Sequence, residues 1–117
     1  MVWCQGESDG DAGTRGEEYR RLFLNMFDKM LAVGIEKCFL IIIGEYNGAG
    51  DVDYSIIRNA QISLTENNTN VIAVSNDFCK MKERGLMKDA FHYYQQAYNE
   101  VGSISGEKAG FYAKYEM

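Results

Sequence analysis

Two stretches hold the residue types that could do chemistry, and they lie at opposite ends of the chain. Toward the C-terminus, Asp89 stands three positions before His92, just ahead of a helical pattern. His92 is the only histidine in the sequence. A histidine works as a general base when a carboxylate on one ring nitrogen fixes the tautomer and leaves the other nitrogen basic. Asp and His three apart on a turn can meet in that way, although a surface pair or helix cap would use the same spacing. At the other end, apolar Met1-Val2-Trp3 breaks into Cys4-Gln5-Gly6-Glu7-Ser8-Asp9, hydrogen-bonding side chains around one glycine. Open α/β sheets place their ligands at strand ends that open into such turns. An ordinary strand-to-loop exit would read the same.

Composition removes several alternatives. Net charge is −5 and no lysine or arginine cluster stands out, so nucleic acid is not an expected partner, because phosphate binding needs a basic stripe. The longest apolar run, Cys38 to Ile43, falls far short of the roughly 20 residues of a membrane span. No basic-then-apolar leader opens the chain. Cys4, Cys38 and Cys79 are far apart, with no C-x-x-C pair and one histidine in the whole sequence. That pattern argues against a zinc site, and no metal or cofactor is expected. Cys4 and Cys38 sit in or beside strand-like runs and read as buried thiols in a reducing compartment, so a cytoplasmic location is expected. Asp9-Gly10-Asp11-Ala12-Gly13 hints at a calcium loop but lacks its later ligands. Asn67-Asn68-Thr69 is a glycosylation sequon with meaning only on a secreted chain.

The elements that must position these groups follow from periodicity. The 117 residues suffice for one domain, 1–117. Residues 10–16 read as a glycine-rich loop. From Tyr19, apolar positions at Leu22, Phe23, Met26, Phe27, Met30 and Leu31 predict an amphipathic helix. Thr14 and Glu17 have capping-box spacing, and Gly34 marks the stop. Cys38 to Ile43 is continuous rather than alternating, as in a strand buried on both faces. After the loop Gly44 to Gly50, a helix is expected from Tyr54 to Glu66, with Asp53 as cap and Ile56, Ile57, Ala60 and Leu64 inward. Val71 to Val74 reads as a strand. A helix from Tyr93 to Gly102 and another from Gly106 to Tyr115 complete the chain. Strand-helix alternation at this spacing argues for a parallel sheet with right-handed crossovers. All three strands would then end on one edge, bringing Gln5-Gly6-Glu7, Gly44-Glu45, Asn76-Asp77 and His92 together.

Taken together, Trp3-x-Gln5-Gly6-Glu7-Ser8-Asp9 and Asp89-x-x-His92-Tyr93 resemble two motif blocks of the SGNH hydrolases. They are most similar to the sialate O-acetylesterase and acetylxylan esterase branch. Arg58-x-Ala60-Gln61 and Tyr98-Asn99-Glu100-Val101-Gly102 also resemble that branch, in the same order along the chain. The resemblance implies a flavodoxin-like three-layer α/β/α sandwich and a Ser-His-Asp hydrolase that removes O-acetyl groups from sugars. It would make His92 the general base, Asp89 its orienting partner, Gln5 an oxyanion-side amide, and Gly6 a close-approach position. Glu7 and Asp9 would brace the loop.

One departure from the family is plain. Its nucleophilic serine lies in a G-x-S block upstream of W-x-Q-G-E, and that block is missing here. The chain is therefore expected to be the C-terminal part of such a domain, inactive alone, with an open sheet edge at Val2 that invites self-association. Gly6-Glu7-Ser8-Asp9-Gly10 formally matches the G-x-S-x-G nucleophile elbow. Against Ser8 stand the loop expected after it, where an elbow leads straight into a helix, and the lack of the several strands that fold needs before its elbow. Ser75 ends a strand on the expected edge, but nothing marks it as activated. The rival reading is a non-catalytic fragment that binds a sugar or a partner. Tyr93, Tyr94, Tyr98, Phe111, Tyr112 and Tyr115 could stack on a sugar, but at helical spacing they read as core.

Overall fold

The short apolar runs become a three-stranded parallel sheet, described here from a computed structural model covering residues 1–116. The strands are β1 (Val2–Trp3), β2 (Cys38–Ile41) and β3 (Val71–Ser75), hydrogen-bonded in the order β1-β2-β3. Val2 pairs with Phe39 and Trp3 with Leu40; Cys38 pairs with Val71, and the register slips between Leu40 and Ile41. Helices α1 (Glu7–Ala12), α2 (Gly16–Ala32), α3 (Ser55–Asn67) and α4 (Gln95–Tyr115) complete the α/β domain, with a 3-10 turn at Asp77–Lys80.

β2 shows why its run is continuous rather than alternating. Cys38 and Leu40 are fully buried against Tyr19, Phe23 and Phe27 of α2 and Ile57, Ala60 and Leu64 of α3. On the other face, Ile41 packs against the cluster of Ala97 and Val101 from α4, and the Phe39 ring meets Tyr112 edge-on at 5.7 Å. Burying one such phenylalanine or leucine contributes about 2 kcal/mol. With helices on both faces, a central strand has no polar side to show.

The structure corrects several expectations. Residues 10–16 are not a loop: α1 begins at Glu7, directly after the glycine turn, and only Gly13 to Arg15 lie between it and α2. Thr14 does not cap α2 in a capping box. Its hydroxyl donates instead to Asp9 Oδ1 at 2.9 Å, and Arg15 occupies the cap position with an extended backbone. Ile56 is exposed, while Gln61 takes a fully buried place in its helix. The two C-terminal helices are one, α4, which runs through Gly102 and Gly106. Interior glycines (Gly102, Gly106 and Gly110) cost roughly 1 kcal/mol each in a helix, and burial of Ala97 and Val101 on the face toward the sheet works against that cost. Of the aromatic set, only Tyr93 is buried; Tyr94, Tyr98, Phe111 and Tyr115 are exposed.

Helix α1 is fixed by tertiary contacts. Gly10 lies so close to the Tyr54 ring that a Cβ there would collide with it. The Tyr54 hydroxyl donates to Oδ1 of Asp11, the next residue of α1, at 2.7 Å. Gly10→Ala is therefore expected to lower stability by about 2 kcal/mol through overpacking. Urea unfolding checks this, and Gly13→Ala is no steric control because Gly13 sits at φ 71°. Gly102→Ala, with open space around it, should be neutral or stabilising.

Candidate active site

The C-terminal ends of the three parallel strands set one edge, as the alternation requires. β1 leaves through Gly6, β2 through Ile42-Ile43-Gly44, and β3 through Ser75-Asn76. Gly6 is buried with φ 152°, and a Cβ there would stand 3.0 Å from Gln61 Nε2, Ile43 Cγ2 and Ile57 Cγ2. Only glycine suits both the backbone and the space.

Gln61 is the hub of this edge. Its side chain is fully buried. Its Oε1 accepts from the Ile43 N–H at 3.0 Å, and its Nε2 donates to the Gln5 carbonyl at 2.7 Å and to the Tyr19 hydroxyl at 3.1 Å. One side chain thereby joins the exits of β1 and β2 to α2. Arg58, one turn earlier, donates to the Gly44 carbonyl at 3.2 Å.

Asp89 and His92 meet as their spacing allows. Asp89 Oδ1 accepts from the backbone N–H of Phe91 at 3.0 Å and of His92 at 2.7 Å. Its Oδ2 faces His92 Nδ1 at 2.8 Å, which assigns the ring proton to Nδ1 and leaves Nε2 free. Those two backbone N–H groups first, and the imidazole after them, hold the Asp89 carboxyl down at about 2. The turn is closed by Lys88 N–H donating to the His92 carbonyl at 3.0 Å. It is also clasped from β2's exit loop. Asn47 N–H donates to the Ala90 carbonyl at 2.8 Å, and Asn47 Nδ2 to the Asp89 carbonyl at 3.3 Å.

The Asp89 shift makes a signed prediction. A carboxylate held below its unfolded value contributes stability above that value and loses it as pH falls through the folded one. The turn should therefore stay closed through mild acid and loosen as pH falls from 3.8 toward about 2. Titration of the Asp89 carboxyl carbon by NMR, alongside Phe91 and His92 amide shifts, checks this.

His92 is half exposed on a cleft of about 310 Å³. Glu7, Ser8 and Cys4 from the β1 exit form one side of the lining, with Phe91, Tyr93, Tyr98 and Phe78 on the other. The two sequence blocks thus share a cleft. Cys4 is exposed rather than buried as expected; surrounding protein and then the Glu7 charge push its thiol up. Tyr93, buried and stacked on Phe78 with centroids 4.4 Å apart, is pushed up by burial and then by Glu7. Ser8 stands exposed in the first turn of α1, so the loop that argued against it is absent.

Gln5 lies elsewhere. Its Nε2 donates to Asp9 Oδ2 at 2.9 Å, and its Oε1 accepts from the Tyr19 hydroxyl at 3.2 Å. It lines a separate apolar cavity of about 320 Å³ with Trp3, Tyr19 and Phe23. Asp9 braces the turn by taking both Gln5 and Thr14. Ser75 is buried, and its hydroxyl accepts from the Asp77 N–H. Among the described residues, no group of three His, Cys, Asp or Glu is placed to hold a metal ion. Nor is any helix among them long and apolar enough to cross a membrane.

Sequence reasoning did not find the hub role of Gln61, the Asn47 clasp or the exposure of Cys4. The signal for Gln61 was present: Ile57, Ala60, Gln61 and Leu64 share one helical stripe. No family model, curated protein or solved structure matches this chain.

Proposed function

We propose that this chain is the histidine-bearing part of a carbohydrate O-acetylesterase of the SGNH type, its sheet belonging to a three-layer α/β/α sandwich. The observation that supports this reading best is the bonded Asp89–His92 pair, its Nε2 free, in a cleft shared with Cys4, Glu7 and Ser8 of the N-terminal block. The substrate is an O-acetylated sugar. A serine Oγ attacks the acetyl carbonyl while His92 Nε2 takes its proton, and the imidazolium then protonates the departing sugar oxygen. Water, deprotonated by His92, clears the acetyl-enzyme. Gln5 is the oxyanion-side amide of this reading, which requires its side chain to leave Asp9 and Tyr19 and turn from its separate cavity toward the His92 cleft.

In this reading the nucleophilic serine belongs to a block outside these 117 residues. The free edge of β1, where Val2 is 61% exposed, is where the polypeptide that carries it adds its strand, or where two copies associate. The three unpaired cysteines fit a cytoplasmic setting.

A second reading has one observation in its favour: Ser8 lies in the first turn of a helix and lines the His92 cleft. In that case the chain supplies its own nucleophile. The same assay separates the two. Acetyl release is measured on the chain and on the polypeptide encoded in frame with the sequence upstream of Met1. Turnover only in the longer protein, lost in His92→Ala and kept in Ser8→Ala, supports the first reading. Turnover in the chain itself, lost in both variants, supports the second. Turnover in neither, or turnover indifferent to His92, overturns both.

A further inference from the structure

The loop after β2 contains the only Asn-Gly pair in the sequence, Asn47-Gly48. Asn47 is exposed and lies outside every helix and strand, and Gly48 begins a bend. An asparagine followed by glycine is the pair least shielded against attack by its own backbone, because the attacking nitrogen carries no neighbouring side chain. Among the described residues, nothing accepts a hydrogen bond from the Gly48 N–H. The same asparagine is the clasp on the Asp89–His92 turn, through Asn47 N–H to Ala90 and Nδ2 to Asp89.

We propose that Asn47 is a spontaneous deamidation site whose conversion releases the Asp89–His92 turn. The Gly48 nitrogen, losing its proton, attacks Asn47 Cγ. A C–N bond forms, the Cγ–Nδ2 bond breaks, and the nitrogen leaves as ammonia with a proton from solvent, giving a cyclic succinimide. Water opens that ring at one carbonyl to leave aspartate, or at the other to leave isoaspartate. The net change is gain of one water and loss of one ammonia, with no oxidant or reductant.

Either product undoes the clasp. Nδ2, the donor to the Asp89 carbonyl, is replaced by a carboxylate oxygen facing that carbonyl, acceptor against acceptor. Isoaspartate also adds a methylene to the backbone between Asn47 and Gly48, which shifts the frame that holds the N–H against Ala90. The remaining candidates are better protected. Asn25, Asn59, Asn67 and Asn99 lie in helices, and Asn68, Asn70 and Asn76, outside them, precede Thr69, Val71 and Asp77, whose side chains shield the attacking nitrogen. Asp9-Gly10, which could cyclise by the same route, is in α1 with the Gly10 N–H bonded to the Gly6 carbonyl at 3.0 Å.

The consequence for catalysis rests on the reading of His92 as general base; the modification and the release of the turn do not. The test is to age the intact chain in mildly alkaline buffer, map its peptides by mass, and follow amide exchange. The Asn47 peptide should gain one dalton several-fold faster than any other asparagine. Exchange at the Asn47 amide should rise roughly fivefold, the scale of one lost hydrogen bond. Asn47→Asp should reproduce the faster exchange without ageing, and Asn47→Gln should suppress the mass gain. Conversion of Asn47 no faster than Asn68 or Asn70 overturns the site. Unchanged exchange in both the aged protein and Asn47→Asp overturns the clasp. Both readouts hold whether or not an esterase activity is found.

Discussion

Replacing Gln61 by methionine is expected to lower the unfolding free energy by about 3 kcal/mol, although the two side chains have nearly the same volume. The loss is not a cavity. Methionine fills the space between Ile57, Leu64 and the Gly6 turn but neither accepts from Ile43 N–H nor donates to Gln5 carbonyl and Tyr19 hydroxyl. These groups then stay buried and short of partners, which costs more than forming the bonds gained. Urea unfolding gives the magnitude. A cycle with Tyr19→Phe should show coupling of about 1 kcal/mol, because both variants remove the same bond. Gln61→Glu separates polarity from shape. Its carboxyl can still accept from Ile43, and its charged form is disfavoured by burial, so its folded pKa lies above the unfolded one. Stability of that variant should therefore fall as pH rises, while Gln61→Met should show no such slope. A Gln61→Met protein as stable as the parent would show that the three bonds are replaced by others.

The same residue explains what the sequence made legible. β2 and β3 and helix α2 follow from apolar period alone, because burial on two faces or one stripe leaves that mark. Asp89 and His92 were legible because their geometry is local: a turn of three positions needs no knowledge of the fold. Helix α1 was not legible. Gly6-Glu7-Ser8-Asp9-Gly10-Asp11 has weak helix propensity throughout, and the segment is held by Asp9 bonding Gln5 and Thr14 and by Tyr54 covering Gly10. Gly102 and Gly106 misread as an interruption because glycine is judged as a breaker, while the sheet beneath α4 decides whether a helix continues. Gln61 sits in a helical stripe of otherwise apolar residues. Polarity hid it, although a buried amide with three partners satisfies the same packing rule.

Asp89→Asn is expected to leave the fold nearly unchanged and to reduce ester turnover on the order of 10⁴-fold in the polypeptide that carries the nucleophile. The asparagine oxygen can keep both backbone bonds, from Phe91 and His92, that Asp89 Oδ1 accepts. What changes is the atom facing His92 Nδ1. A carboxylate oxygen there requires Nδ1 to carry the proton; an amide NH₂ requires Nδ1 to accept one instead. The ring proton then moves to Nε2, the nitrogen on the cleft side, and a protonated Nε2 cannot take a proton from a nucleophile. The stabilising charge opposite a transient imidazolium is lost as well. Ring nitrogen shifts measured by NMR at neutral pH read the tautomer directly on this chain, with no activity required. They should report a proton on Nδ1 in the parent and on Nε2 in Asp89→Asn. An unchanged tautomer with lost turnover would move the role of Asp89 from orienting the ring to holding the turn. A changed tautomer with full turnover would remove His92 from the reaction, because the nitrogen that must be basic would then be blocked without consequence.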